Sequence, residues 1–190
     1  MGNPAEARAL LEVAHNTSHA WGEGWINSFV LNNLGEVARV QGDYQSARRY
    51  YYQSEVLLRE MGDKGDLARL IHSLGYVAQH EGDLTRAEAQ FRESLATFRV
   101  LGNKRGIAEC LAAFAGLRAL QDRAPLGAQL LGTAEAIMAA NGAGWWPADR
   151  GEIERTRSAI QSRLEPAVFA AEWAKGQQMT WEKAVINALQ

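Results

Sequence analysis

The sequence has a single cysteine, Cys110, in 190 residues. No intrachain disulfide and no cysteine-rich metal site can form from it, and a reducing, cytoplasmic setting is expected. Charge of one sign is not in excess either: 20 Lys and Arg face 22 Asp and Glu, leaving a formal net charge of −2. No overall field therefore draws the chain to nucleic acid or to an anionic membrane. No uninterrupted apolar run approaches the ~18–20 residues that cross a bilayer. The opening stretch, MGNPAEARALLEV, lacks the basic and apolar regions of a signal peptide. The four prolines and most glycines sit at the edges of periodic segments, and no low-complexity linker divides the chain. One domain over residues 1–190 is expected.

What the sequence does have is a period. Residues 22–61, 62–101 and, more weakly, 102–141 repeat one pattern, the mark of a stacked repeat array. In the first unit Leu31, Leu34, Val37 and Ala38 recur at three- and four-residue spacing, one apolar helix face. Gln41-Gly42-Asp43-Tyr44 interrupts it, with a glycine suited to the left-handed C′ position and an aspartate suited to capping the next helix. Ala47, Tyr51, Ser54 and Leu58 resume the spacing, and residues 62–66 end it. Each unit therefore reads as an antiparallel helix pair. The second unit repeats Ile71, Leu74, Gly75, Ala78, Gly82, Asp83, Ala87, Phe91 and Ser94. A glycine inside a helix costs roughly 1 kcal/mol against alanine, so Gly35 and Gly75 point to close helix approach, with Tyr51 and Phe91 as fillers. The third unit keeps Leu111, Phe114, Ala115, Leu131 and Ala134, but has Asp122 in place of glycine and Gly127 in place of alanine.

Residues 1–21 carry the phase backwards, with Gly2-Asn3, Ala7, Leu11 and Ala14 in the places of Gly42-Asp43, Ala47, Tyr51 and Ser54. They read as a half repeat holding the second helix only, as in the C-terminal piece of a longer protein. Leu10, Leu11 and Val13 would then be uncovered, which raises the expectation of a homodimer through this half repeat. After Asn141 the repeat dissolves and Trp146-Pro147 makes a stop. A polar-faced helix is expected over 149–164. A second is expected over 166–174, with Val168, Phe169 and Trp173 as its apolar contacts and Gly176 as its end. A last helix is capped by Thr180 and carries Trp181, Val185, Ile186 and Leu189. Residues 142–190 thus read as a helical cap on the open end of the array.

Leu34-Gly35 with Ala47 and Tyr51, and Leu74-Gly75-Tyr76 with Ala87 and Phe91, resemble the tetratricopeptide repeat, whose signature has L-G followed by A and an aromatic. The resemblance implies an all-α, right-handed superhelical array of antiparallel helix pairs. Such units usually hold about 34 residues, so the extra residues here are expected between pairs, in segments such as 62–66. The tail, with Ala128-Gln129-Leu130-Leu131-Gly132-Thr133-Ala134-Glu135-Ala136, Phe169, Trp173-Ala174, Gly176, Glu182, Ala184-Val185 and Ala188-Leu189, resembles the C-terminal ends of large bacterial LuxR-type and maltose-regulator-like signal-transduction ATPases. That resemblance implies a sensory or autoregulatory repeat domain serving signal transduction and transcription regulation.

No catalytic constellation stands out, so an enzyme is not expected, nor a cofactor. His15 and His19 have the i, i+4 spacing of a metal pair, but H-N-T-S-H offers no carboxylate and no third ligand; exposed helix histidines are the plainer reading. His72 and His80 lie two turns apart, too far for one ion without further ligands. Cys110, between Ile107, Leu111 and Phe114, reads as a buried inert thiol. Gly22-x-Gly24 and Gly62-x-x-Gly65 lack a preceding strand and a G-K-[ST], so neither reads as a nucleotide loop. Glu152 and Glu154 fall on different helix faces and read as a solvated charged surface. Trp25 and Trp145 share one repeat phase, beside Trp21 and Trp146; they are core staples or, alternatively, the walls of an aromatic ligand pocket.

In tetratricopeptide arrays the first helix of each pair lines the concave face. By that resemblance the inner positions are Phe29, Asn32, Asn33, Glu36 and Arg39, then Arg69, His72, Ser73, Tyr76, Gln79 and His80, then Glu109, Ala112, Ala113, Gly116 and Ala119. Asn32, Asn33, Glu36, Arg39, Arg69, His72, Tyr76 and Gln79 form the candidate groove for a protein or peptide ligand, or for other domains of a parent protein. The third set is small and apolar, which suits docking of the chain's own tail. The family's chaperone-tail clamp needs Lys and Arg where this chain has Asn32, Ser73, Glu109 and Ala113, so a C-terminal carboxylate is not the expected ligand. Two alternatives stay open: the polar residues are simply the solvated inside of a superhelix, or the groove senses a small molecule between Tyr76, His72 and the tryptophans.

Overall fold

A left-handed residue recurs every twenty positions. Gly42, Gly62, Gly82, Gly102, Asp122 and Gly142 have φ between +58° and +82°, a region that glycine enters without a Cβ penalty. After the first four, Asp43, Asp63, Asp83 and Asn103 accept a hydrogen bond from the backbone amide three residues on. Each such pair stops one helix and starts the next within two or three residues. The computed structural model describes residues 4–21 and 24–190, and these are all-helical: α1 Pro4–Trp21, α2 Gly24–Val40, α3 Tyr44–Met61, α4 Lys64–His80, α5 Leu84–Val100, α6 Lys104–Leu120, α7 Ala124–Ala140, α8 Arg150–Gln161, α9 Pro166–Gln177 and α10 Trp181–Ala188. Gly2, Asn3 and Gly22, and the side chains of His19 and Trp21, lie outside the described residues.

Consecutive helices pack as α2 on α3, α4 on α5 and α6 on α7, with α1 against α2. The additional residues of the long period do not lie between the pairs. Every helix from α2 to α7 runs for 17 or 18 residues, and Lys64-Gly65-Asp66 already forms the first turn of α4 under the Asp63 cap. The length has gone into the helices because an N-cap converts a loop-like composition into a helix start.

Within each pair the glycine and the aromatic fit directly. A Cβ on Gly35 would overlap the Tyr51 ring, and one on Gly75 the Phe91 ring. Ser54 donates its hydroxyl to the Ser28 carbonyl and Ser94 to that of Ala68, both at 2.8 Å, so the repeated serine pins the second helix to the first. Residues 106–119 of α6 are buried throughout, because α5, α7, α8 and α10 all pack on this helix.

The tail covers the last pair with three helices. α9 crosses α7 where a Cβ on Gly132 would overlap the Trp173 carbonyl and one on Gly176 the Gln129 carbonyl. Thr133 donates to the Gly176 carbonyl at 2.7 Å and the Trp173 indole to Glu135 at 2.9 Å. Gly176 therefore lies inside α9 as its contact point and does not end it. Val168 and Ile186, expected to face inward, are exposed; Val185 is buried as expected, together with Ala184 and Ala188, and Phe169, Trp181 and Leu189 pack on the core. Leu10 and Val13 of α1 are exposed and Leu11 is half-buried. Among the described residues no helix is long and apolar enough to cross a membrane.

Candidate functional site

On α2, Trp25, Phe29, Asn32, Glu36 and Arg39 follow one another at spacings of four and three, so they share one stripe. With its counterparts on α4 and α6 it makes up the face expected from the repeat to be the inner one, and its two ends differ sharply. Trp25 is 66% and Phe29 55% exposed, so Trp25 is not a core staple. At the other end the Arg39 side chain is fully buried, because the tail lies over it.

Arg39 meets three carboxylates. One terminal nitrogen donates to Glu36 and to Asp149, each at 2.6 Å, and the other to Glu152 at 3.0 Å. The guanidinium also stands 5.2 Å from the centre of the Tyr76 ring. Glu36 accepts a second hydrogen bond from the Ser73 hydroxyl at 2.6 Å. Glu152 also pairs with His80 at 3.0 Å and with Arg155 at 2.8 Å. His80 in turn stacks on Tyr44, with ring centres 4.7 Å apart. Asp149 and Glu152 come from the start of α8, so the tail enters the inner face through its carboxylates.

Burial raises the pKa of every carboxylate here, and the partners decide the outcome. Burial pushes Glu36 up, but the Arg39 charge and the hydrogen bonds from Ser73 and Arg39 leave it below its ordinary value. Glu152, against the same desolvation, is drawn down to about 2 by His80, Arg155 and Arg39. Asp149 ends above its ordinary value: burial dominates, and Glu36 opposes the help from Arg39. Glu109, on α6, is raised to about 7 by burial and by Asp149. Its bond to Arg105 at 3.0 Å does not offset this, since Arg105 is one-third exposed. Arg105 also donates to the Gly144 carbonyl at 2.7 Å and, with Arg69, stacks on Trp146, at 3.9 and 4.6 Å from the ring centre.

The eight groove residues expected from the sequence thus divide. Asn33 and Arg69 are half-buried; Asn33 donates to the Phe29 carbonyl at 2.8 Å, and Arg69 lies against Trp146. Asn32 is buried and its side-chain oxygen has no partner among the described residues. Glu36 and Arg39 form the ion cluster. His72 and Tyr76 are buried against each other and against Phe91. Gln79 is half-buried in a cleft of about 270 Å³ shared with His80, Gly116, Glu152 and Thr156. Sequence reasoning missed Asp149 and took Glu152 for a solvated residue; Trp146, expected as a core staple or pocket wall, lies between Arg69 and Arg105. Glu152 is buried and the most heavily bonded carboxylate of the site; Glu154, two residues on, is indeed exposed. The available signal was an Asp-x-x-Glu pair at the start of an otherwise polar helix, facing an inner arginine. Among the described residues no group of three or more His, Cys, Asp or Glu side chains could hold a metal ion. His15, expected at the surface, is half-buried, with a ring nitrogen 2.6 Å from the Asn27 side-chain oxygen.

A tetratricopeptide repeat family model matches residues 30–54, from the middle of α2 through the turn to the middle of α3. Together with the all-helical array, this match supports a repeat domain of tetratricopeptide type. Such repeats generally mediate protein–protein interaction and are typically non-catalytic scaffolds. A search of curated proteins finds no match to the chain.

Proposed function

We propose that this chain is a protein-binding repeat module working in the cytoplasm, without direct contact to nucleic acid, within a bacterial signalling or transcription-regulating protein of the LuxR-type or maltose-regulator-like kind. Its inner face receives a peptide or another domain of that protein. The observation that carries the reading is the exposure of Trp25 and Phe29 on the same helix stripe as Glu36 and Arg39. A monomer gains nothing by presenting two large aromatics beside hydrogen-bonding side chains, whereas aromatic anchors rimmed by polar groups are what binding surfaces use. Asn33 and Arg69 supply that rim. A homodimer through the exposed Leu10 and Val13 of α1 belongs to the same reading. The small-molecule alternative has less support, since its expected walls, His72 and Tyr76, pack on Phe91 with no room between them.

The test is selection of a displayed random-peptide library on the intact chain. Enriched peptides should lose binding when Phe29→Ala and Arg69→Glu are combined, with far-UV circular dichroism unchanged. Absence of enrichment, or enrichment indifferent to both substitutions, contradicts the reading. Saturable thermal stabilisation by a metabolite would favour the small-molecule alternative.

A further inference from the structure

The inner face is closed at one end by a segment of the chain itself, and the chemistry of that closure describes what else would fit. α8 buries only Glu152, Ile153, Thr156 and Ile160, so it is held as much by its carboxylates as by apolar contact. Asp149 and Glu152, three residues apart, take the two terminal nitrogens of one guanidinium. The seat on α6 is cut for a helix at short range. A Cβ on Gly116 would stand 2.8 Å from the Thr156 hydroxyl oxygen and 3.7 Å from the Thr156 Cβ, and Ala112 and Ala113 continue the small surface. The approach to α8 is a non-helical strap containing Gly144 and Pro147, pinned by Trp146 between Arg69 and Arg105.

We propose that Arg39, His80 and the small-residue face of α6 form a receptor for an acidic helix. α8 is its resident occupant, and a partner helix beginning with carboxylates at i and i+3, followed by an apolar residue, takes its place. This rests on the protein-binding reading above and specifies the partner. The charge count favours exchange. Three carboxylates share Arg39, so the resident helix is held against the repulsion of Glu36, and an incoming helix with the same two groups meets no new penalty. Removal of α8 also frees Arg39, which lies on the same stripe of α2 as the exposed Trp25 and Phe29. The tether is what keeps α8 ahead: an attached segment acts at millimolar effective concentration.

The test uses the full chain with Asp149→Asn and Glu152→Gln, which loosen the occupant and leave the receptor intact. A fluorescent peptide of residues 146–162 is the probe, read by anisotropy. Because the tethered occupant competes at millimolar effective concentration, the variant should bind the probe at least about tenfold more tightly than the unaltered chain does. A probe with lysine at both carboxylate positions should not bind. Adding Arg39→Met to the same variant removes the guanidinium that receives the two carboxylates, and probe binding should then vanish. Equal binding to variant and unaltered chain, indifference to charge reversal, or binding unaffected by Arg39→Met overturns the proposal. If the double substitution unfolds the chain, Glu152→Gln alone, which leaves Asp149 on Arg39, is judged by the same criteria. Failure here with success of the library selection would leave the open end as a binding face and remove only the acidic-helix receptor.

Discussion

Replacing Arg39 with methionine keeps most of the volume and removes the charge. Three carboxylates would be left around an uncharged side chain, with side-chain exposures of 17% for Glu36, 9% for Asp149 and 3% for Glu152. They are not equally stranded. Glu36 keeps Ser73, and Glu152 keeps His80 and Arg155, so Asp149 loses most. Breaking a buried ion pair by deleting one partner costs about 3–5 kcal/mol, and a group that can take up a proton limits its own loss to about 1.4 kcal/mol per pKa unit. We therefore expect Arg39→Met to lose about 3–4 kcal/mol at pH 7, read as a fall of about 1–2 M in the urea midpoint. With Asp149→Asn and Glu152→Gln already present, the same substitution should cost less than half as much, because only Glu36 remains. The deficit should also shrink as pH falls and the stranded carboxylates take up protons. A loss below about 1 kcal/mol, or an equal loss in both backgrounds, would refute the reasoning, since the cycle isolates the coupling between α2 and the tail.

Four further outcomes follow from the geometry. Glu109 binds its proton more tightly in the folded chain, with a pKa of about 7. Its contribution is therefore whole below its ordinary pKa near 4.5 and is lost as pH rises from there through 7, on the order of 3 kcal/mol in total. Glu109→Gln should flatten that slope and be the more stable chain at pH 8 in urea titrations; an unchanged slope counts against it. Glu152 has the opposite sign: with a folded pKa of about 2, it stabilises above pH 4.5 and loses this as pH falls toward 2. Gly75→Ala should cost about 1–3 kcal/mol through overlap with the Phe91 ring, and Phe91→Leu in the same chain should recover part of the loss. Asp122 holds φ at 59°, so Asp122→Gly should raise stability by roughly 0.5–1 kcal/mol while Asp122→Ala gives no gain; calorimetry separates the two.

The fold was legible because it is written locally. Each Gly-Asp or Gly-Asn step sets a left-handed stop and an N-cap within neighbouring residues, and Gly35 and Gly75 meet an aromatic in the adjoining helix. Two local signals misled because composition was read without geometry. Residues 62–66 look like a loop, yet Asp63 caps a helix that begins at Lys64; Gly176 looks like a stop, yet it is where α9 touches α7. The site was only half legible. Arg39 could be placed on the inner face by its phase, but its carboxylates Asp149 and Glu152 lie 110 and 113 residues away, and no periodicity links them. Glu152 sits on a helix polar enough to pass for solvated, and only the third dimension turns that face inward. Among the tail residues singled out in the sequence, Gln129, Gly132, Thr133, Glu135, Trp173 and Gly176 are contacts of the α7–α9 crossing, while Ala184, Val185 and Ala188 are buried by α10.

Native-state hydrogen exchange tests the central claim, that α8 occupies the inner face as a displaceable helix. Amides of α8 should open at least about 2 kcal/mol more easily than those of α6, in a sub-global step that leaves α2 to α7 protected. The step should become easier still in Glu152→Gln. Exchange of α8 at the same free energy as α6 would make the tail an inseparable part of the core, and would contradict the account.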